Sequence, residues 1–203
     1  VCRLAPVIPV LVVEDVAHAA PLARALSAGG LKALEVTLRT PAALDVIRAM
    51  IDAAPDAVVG AGTLRTTQDV RDAQAAGARF GVSPGLSETL LDTADELAMP
   101  MLPGVATPSE AMAAAERGLS VLKFFPAEAN GGVPTLKAWA SPLKGLMFCP
   151  TGGVSKANAT DYLALPNVVC VGGSWVAPAD RVAAGDWDAI TALAAEAAKL
   201  KAA

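Results

Sequence analysis

The sequence is poor in aromatic and charged residues. Of its 203 residues only 4% are aromatic and 18% are charged, although 54% are hydrophobic. Intrinsic disorder requires low hydrophobicity and high net charge, so this composition excludes it. The chain is long enough for one substantial hydrophobic core, which predicts a single domain over residues 1–203.

Long apolar runs and basic clusters are also missing. The apolar stretches Leu4–Val13 and Leu97–Ala106 have about half of the ~20 residues that a membrane span requires, and proline interrupts both. They are better explained as buried strands of a soluble protein, so we expect no membrane association. The net charge is −4, and lysine and arginine form no cluster, which argues against nucleic-acid binding.

Residues for metal and redox chemistry are scarce. Cys2, Cys149 and Cys170 lack the CxxC spacing, and the last two lie in apolar runs, where a reduced thiol acts as a small hydrophobe. This favours a reducing, cytoplasmic setting. His18 is the only histidine, which argues against a zinc-dependent aldolase and against a Ser-His-Asp triad.

The chain is built from a repeated unit: a short apolar strand, a loop with glycine or threonine, and an alanine-rich helix. Glycine marks several helix ends, and Thr-Pro at 40–41 and 107–108 marks helix starts. Eight strands in strict alternation with helices predict an α/β fold, a (β/α)8 TIM barrel of near-minimal size. A doubly wound open sheet is the alternative, but its GxGxxG signature is missing. We predict strands near 7–13, 33–38, 57–62, 79–83, 100–105, 120–125, 146–151 and 168–172, and a final helix near 186–200.

Charged residues interrupt the second predicted strand. Glu35, Thr37 and Arg39 alternate with an apolar row in ALEVTLR. In a barrel the apolar row packs against helices, so Glu35 and Arg39 are expected to point inward, toward the top of the barrel. The alternative is a solvated face on an edge strand, and a closed barrel has no edge strands.

Lys123 lies alone among apolar residues in the sixth predicted strand. Burying a lysine is costly unless it is paired, and desolvation favours the neutral, nucleophilic form that a Schiff base requires. The alternative is a lysine that reaches solvent at a strand end. The position of Lys123 in the middle of the apolar stretch makes that alternative weaker.

Glycine-rich turns follow three predicted strands: GAGT at 60–63, PTGG at 150–153 and GGSW at 172–175. Barrel enzymes often bind phosphate with the loops after strands seven and eight. The backbone N–H groups of Gly153, Gly173 and Ser174 are therefore candidate phosphate ligands. A single Gly-Gly pair would more simply be a turn.

Together these residues resemble the class I 2-keto-3-deoxy-6-phosphogluconate (KDPG) aldolases, which also act on 4-hydroxy-2-oxoglutarate (KHG). The resemblance covers nearly the whole chain and depends on the motifs GGLKALEVTLRT, VVGAGTL, SPGL, KFFPAEANGG, FCPTGG and GGSWVAP. It implies a (β/α)8 barrel that assembles as a homotrimer. The extra N-terminal helix of the family is expected to be absent or truncated here.

The resemblance also implies a role for each residue that matches a family motif. Lys123 would form the Schiff base and Glu35 would be the general acid/base. The residues that contact the rest of the substrate would be Arg39 and Thr63 at the pyruvate carboxylate, Thr151 near the new stereocentre, Phe125 and Pro84 as further contacts, and Gly152, Gly153, Gly173 and Ser174 at the phosphate.

The implied reaction is cleavage of KDPG, a step of the Entner–Doudoroff pathway, to pyruvate and glyceraldehyde 3-phosphate. Cleavage of KHG to pyruvate and glyoxylate is expected as well, with no cofactor or metal and with small-molecule substrates as the only partners. One alternative is cleavage of the galactonate epimer, but relatives with that activity lack the threonine at position 151. A sugar-phosphate isomerase or epimerase, and a non-catalytic sugar-phosphate-binding barrel, are weaker alternatives.

Overall fold

A computed structural model describes residues 1–200 and shows parallel strands that alternate with helices. The strand segments are β1 (Val7–Leu11), β2 (Ala33–Thr37), β3 (Val58–Gly62), β4 (Gly81–Val82), β5 (Met101–Leu102), β6 (Gly104–Val105), β7 (Val121–Phe124), β8 (Met147–Pro150) and β9 (Val171–Gly173). Two short 3-10 helices cover Val16–His18 and Glu128–Asn130. The strands match the eight predicted ones, but several are shorter, and the fifth is divided.

The strands close into a barrel. One run of neighbours has the order β5-β4-β3-β2-β1-β9, and a second has the order β6-β7-β8. Only Pro103 separates β5 from β6, and its carbonyl oxygen accepts a hydrogen bond from the Lys123 amide (2.9 Å). Proline has no N–H to donate, so the fifth strand is interrupted there. Parallel bridges from Phe148 to Val168 and from Thr151 to Gly172 join β8 to β9. The predicted (β/α)8 barrel is therefore confirmed.

The helices pack on the outside of this barrel. They are α1 (Ala19–Ala28), α2 (Ala43–Ala53), α3 (Thr67–Ala75), α4 (Glu88–Glu96), α5 (Pro108–Glu116), α6 (Gly132–Trp139), α7 (Ala159–Leu163), α8 (Ala179–Ala183) and α9 (Trp187–Ala198). Their apolar faces and the outward strand residues form one large core. Between residues 1 and 200, the structure contains no helix that combines the length and apolarity of a membrane span.

A separate, smaller cluster fills the lower part of the barrel interior. Its buried members are Ile8, Ala33, Phe80, Val82, Leu102, Cys149 and Cys170. Strand side chains alternate between the two cores, because successive residues point to opposite faces. The same alternation carries the polar side chains of β2 and β7 inward, above this apolar floor.

Helix ends follow the sequence signals closely, whereas one helix start does not. Gly30, Gly77 and Gly118 all have positive φ, the left-handed conformation typical of a residue that terminates a helix. Thr107 caps α5 with a full capping box. At Thr40, by contrast, the predicted cap is wrong: α2 begins at Ala43, and the Thr40 hydroxyl donates to the Val13 carbonyl (2.8 Å).

Candidate active site

Lys123 and Glu35 meet inside the barrel. The two side chains are buried, each residue with 3% exposure, and Lys123 Nζ lies 3.8 Å from Glu35 Oε1. Lys123 is in register with Gly104 on one neighbouring strand and Cys149 on the other, so it comes from the middle of a sheet and not from a strand end. The interpretation of Lys123 as a lysine that reaches solvent is therefore wrong.

Burial raises the pKa of the Glu35 carboxyl, while the positive charges of Lys123 and Arg39 act in the opposite direction. Burial has the larger effect, so this carboxyl holds a proton at higher pH than an exposed glutamate. A carboxyl whose pKa is raised in this way is better suited to both accept and return a proton than an exposed glutamate is. Within the described structure, Lys123 is the only charged group at ion-pair distance from Glu35, so the two side chains form one buried pair.

Glycine on β3 makes room for the Glu35 side chain. Glu35 is in register with Gly60, and Gly62 lies one step along the same row. A Cβ at Gly62 would lie 2.1 Å from Glu35 Oε1, and a Cβ at Gly60 would lie 2.4 Å from the Phe80 ring. The glycines of VVGAGTL therefore provide space for the Glu35 carboxyl and for the Phe80 ring.

Arg39 and Thr63 form a polar pair at the upper rim. Arg39 Nε donates to Thr63 Oγ1 (3.1 Å). Strand β2 ends at Thr37, so Arg39 lies beyond the strand and is exposed, and does not point inward from it as predicted. Thr63 has φ +61°, a left-handed conformation that is unfavourable for a β-branched residue. The two residues lie at the carboxyl ends of β2 and β3, where barrel enzymes bind their substrates.

An open cavity of about 530 Å³ occupies the mouth of the barrel above β7, β8 and β9. Thr151 lines this cavity, and so do six other predicted substrate or phosphate contacts: Arg39, Phe125, Gly152, Gly153, Gly173 and Ser174. Gly152 and Gly153 both have positive φ, so the turn after β8 requires residues without a Cβ. The predicted phosphate residues and Arg39 thus line one cavity.

Thr151 lies in the wall of this cavity and is buried, with 6% exposure. Its hydroxyl has only weak contacts within the chain, to the Cys149 carbonyl (3.4 Å) and thiol (3.9 Å). Gly172 faces it on the neighbouring strand, and a Cβ there would lie 2.2 Å from Thr151 Oγ1. The hydroxyl therefore has room to bind a ligand.

The two further predicted contacts have different positions. Phe125 packs on the lysine of the buried pair, since Lys123 Nζ lies 4.7 Å from the centre of its ring. Pro84 is exposed and lies on another part of the rim, outside the lining of the main cavity. Its carbonyl approaches Gly104, where a Cβ would lie 2.2 Å from the oxygen. Gly104 is the register partner of Lys123, so Pro84 borders the site near the lysine.

Sequence reasoning missed three residues that shape the cavity. Glu128 lines it, Tyr162 donates a hydrogen bond to Glu128, and Asn158 Nδ2 donates to the Gly153 carbonyl (3.2 Å). Glu128 belongs to the KFFPAEANGG motif, and this membership was the sequence signal that could have identified it. Nothing in the sequence distinguishes Tyr162 from an ordinary core residue of an alanine-rich helix.

Cavity walls and barrel interior contain few metal-binding side chains. Among residues 1–200, no three or more His, Cys, Asp and Glu side chains are arranged to hold a metal ion. The chemistry available from the residues present is that of an amine, a carboxyl group of raised pKa, and backbone and hydroxyl donors.

Comparison with known proteins places this arrangement in a family. The family model described as KDPG and KHG aldolase matches residues 1–193. The KHG/KDPG aldolase of Escherichia coli K12 is 55% identical over 192 residues, which cover 95% of this chain and 90% of that protein.

Two crystal structures of aldolases are also similar. The KDPG aldolase of Zymomonas mobilis ZM4, solved with 3-phosphoglycerate, is 51% identical with a TM-score of 0.95, over 100% of this chain and 95% of its own. The KDPG aldolase of Legionella pneumophila, with pyruvate captured at low pH as a covalent carbinolamine intermediate, is 45% identical with a TM-score of 0.95. That match covers 98% of this chain and 96% of the other. This chain belongs to the KDPG and KHG aldolase family.

Proposed function

We propose that this chain is a class I aldolase that cleaves KDPG to pyruvate and glyceraldehyde 3-phosphate, with Lys123 as the imine-forming residue and Glu35 as the general acid/base. The observation that carries the proposal is the buried pair, with Nζ 3.8 Å from Oε1 and 4.7 Å from the centre of the Phe125 ring, which lines the open cavity. A buried amine beside a carboxyl of raised pKa is the arrangement that Schiff-base chemistry needs.

In this mechanism the neutral amine of Lys123 attacks the C2 ketone. The carbinolamine loses water and leaves a protonated imine, which accepts the electron pair of the breaking C3–C4 bond. Glu35 takes the proton of the C4 hydroxyl as the aldehyde forms, directly or through one water. It then returns a proton to C3 of the enamine, and hydrolysis of the imine releases pyruvate and Lys123.

The remaining contacts fix the substrate at both ends. At the pyruvate end, Arg39 is the one basic residue among the described lining of the cavity, and its guanidinium suits the carboxylate next to the reacting ketone. The Thr63 hydroxyl, held by Arg39, completes this end. At the other end the N–H groups of Gly153, Gly173 and Ser174 suit a phosphate, because a turn with exposed N–H groups binds anions. KHG, which has no phosphate, is the expected second substrate.

The test is covalent trapping. We expect incubation with pyruvate and borohydride to give one reduced adduct, located at Lys123 by peptide mass spectrometry. Lys123→Arg should give none, whereas Lys137→Arg, on the outer surface of α6, should behave as the wild type. An adduct on another lysine, or none at all, would overturn the assignment.

The Glu35→Gln variant separates imine formation by Lys123 from proton transfer by Glu35. We expect it to keep part of the imine formation but to lower turnover by about 10²–10⁴-fold, the range for loss of a general acid/base. Near-normal turnover would remove Glu35 from the mechanism. The expectation of a metal-independent reaction is tested by activity after exhaustive treatment with a chelator, which we expect to persist.

Cleavage of the galactonate epimer is the second candidate activity. Thr151 argues against this activity, because relatives that cleave the galactonate epimer lack a threonine at this position. Its hydroxyl makes only weak contacts within the chain, which supports a role in substrate choice. Rates on the two synthetic epimers, measured side by side, decide between them.

We also propose a single domain that assembles as a homotrimer in the cytoplasm. The trimer is supported by the family resemblance, and light scattering coupled to size exclusion tests it through the molar mass. The reducing location is supported by Cys2, Cys149 and Cys170, which are all free thiols in the structure.

A further inference from the structure

A carboxylate, that of Glu128, lies beside the glycine turn where a phosphate is expected. Of the described residues that line the cavity, Arg39 is the one basic residue and Glu128 the one acidic residue. Glu128 lies beside Gly152 and Gly153, so an unconstrained Glu128 carboxylate would repel a bound phosphate. Its position therefore needs a reason other than contact with the anion.

Glu128 is packed directly on the turn that carries the phosphate N–H groups. A Cβ at Gly153 would lie 2.5 Å from Glu128 Cγ and 2.7 Å from its Cβ, so the side chain covers this glycine. The backbone joins the same two segments: the Glu128 amide donates to the Gly152 carbonyl (3.1 Å), and the Ala127 amide donates to the Thr151 carbonyl (2.8 Å). The segment after β7 thereby supports the turn after β8.

Tyr162 holds the Glu128 carboxylate in this position. Its side chain is fully buried in α7, and its hydroxyl donates to Glu128 Oε1. Burial and the neighbouring carboxylate both raise the pKa of Tyr162, so the hydroxyl keeps its proton and remains a donor. Gly132, at the start of α6, leaves space for the contact, since a Cβ there would lie 3.1 Å from both oxygens.

We propose that Tyr162 and Glu128 are positioning residues for the phosphate end of the site: Tyr162 fixes the Glu128 side chain against Gly153 and keeps its charge from turning toward the bound phosphate. The inference rests on the proposed aldolase function and adds to it a determinant of selectivity for phosphorylated substrate. Without the Tyr162 hydroxyl the carboxylate is released into the cavity, and the Gly153 turn loses the support of its neighbour.

The test compares KDPG with 2-keto-3-deoxygluconate, which differs from it only by lacking the phosphate. We expect Tyr162→Phe to raise KM for KDPG by about tenfold, the effect of one hydrogen bond to a charged group. The kcat for KDPG and the kcat/KM for the unphosphorylated sugar acid should stay within about twofold of the wild type, because the lysine and carboxyl pair is untouched.

A second variant separates charge from position. Glu128→Gln removes the charge with little change of shape, so the double variant Glu128→Gln/Tyr162→Phe should recover most of the affinity for KDPG that Tyr162→Phe loses. Thr135→Val is the matched control, because it removes a hydroxyl that donates to the Asn130 carbonyl (2.9 Å) in the same region without contact to Gly153. It should leave the KM ratio of the two substrates unchanged.

Equal losses on both substrates, or an unchanged KM for KDPG in Tyr162→Phe, would overturn the inference. The inference would also be overturned if adding Glu128→Gln to Tyr162→Phe did not lower the KM for KDPG. Pyruvate trapping on the wild-type protein is run in parallel: failure of the trapping contradicts the aldolase proposal itself, whereas successful trapping with an unchanged KM ratio contradicts only the role of Tyr162 and Glu128.

Discussion

The Glu35 carboxylate occupies the space that a side chain on Gly62 would fill. A Cβ at position 62 would lie 2.1 Å from Oε1 and 2.7 Å from both Cγ and Cδ of Glu35. The three nearest atoms all belong to the Glu35 side chain. An alanine at position 62 is therefore accommodated by moving the carboxyl away from its place beside Lys123.

From this relationship we expect Gly62→Ala to fold but to lose turnover, by about tenfold to a hundredfold, since a misplacement of about 1 Å can cost 10²-fold in rate. The measurement is kcat for KDPG together with the melting temperature. Gly85→Ala is the control, because a Cβ there meets nothing within 4 Å. Full activity in Gly62→Ala would mean that the position of the Glu35 carboxyl is not critical.

The buried Glu35 also makes a prediction about pH and stability. Burial raises its pKa above the ordinary value of 4.5, so the native protein holds a proton that the unfolded chain releases. The contribution of Glu35 to the free energy of unfolding is therefore fullest below pH 4.5 and is lost as the pH rises through the raised pKa.

The glutamine in Glu35→Gln does not titrate, so this variant is the reference. Between pH 4.5 and the raised pKa, the wild type should lose stability relative to it by at most about 1.4 kcal/mol per pH unit. Urea unfolding of both proteins at a series of pH values measures the difference, in which the other carboxyl groups cancel. A wild type that gains on the variant with rising pH would show that Lys123 outweighs burial and lowers the pKa.

Thr151 should control the choice between the two epimers. Thr151→Val keeps the shape of the side chain but removes a hydroxyl that makes only weak contacts within the chain. We expect the preference for KDPG over its galactonate epimer to fall by up to about tenfold, since a hydrogen bond contributes about 0.5–1.5 kcal/mol.

The ratio of kcat/KM for the two epimers is the quantity to measure. Thr93→Val provides the matched control, because the Thr93 hydroxyl donates to a helix carbonyl of α4, outside the cavity (2.9 Å). An unchanged epimer ratio in Thr151→Val would remove Thr151 from substrate selection.

Sequence reasoning located Glu35 and Lys123 by two different signals. Glu35 lies in a polar row that alternation turns inward in a closed barrel, whereas Lys123 is an isolated charge in an apolar strand, where burial without a partner is costly. The turns after the last two strands were found for a similar reason, since adjacent glycines leave backbone N–H groups accessible. These features depend on local sequence and on the topology alone.

Features that depend on distant contacts were missed or misplaced. The Tyr162–Glu128 contact joins residues 34 positions apart, and neither residue type signals it. Thr40 looks like a helix cap, but its hydroxyl bonds to the neighbouring strand end. Arg39 follows the alternation of β2 in sequence, yet the strand has already ended, and Thr63 holds the guanidinium at the rim.

Thr63 and Ala98 are the two residues other than glycine with positive φ in the described chain, at +61° and +51°. A left-handed conformation costs a residue with a Cβ about 1–2 kcal/mol, and replacing that residue by glycine removes most of this cost. The replacement also destabilises the native state by about 0.4–1 kcal/mol, because glycine has greater freedom in the unfolded chain. Ala98 follows the end of α4, where glycine is the usual terminator. Thr63 instead presents its hydroxyl to Arg39.

We therefore expect Thr63→Gly and Ala98→Gly to have melting temperatures equal to or above that of the wild type, but only Thr63→Gly to raise KM for KDPG. Ala98 has no role in the proposed site, so its strain can be removed freely. The proposed role of Thr63 and Arg39 at the pyruvate carboxylate gives a reason for strain at Thr63 to be retained. Thermal unfolding and steady-state kinetics on the pair decide the matter. A Thr63→Gly variant with unchanged KM would show that this strained residue serves the fold and not the substrate.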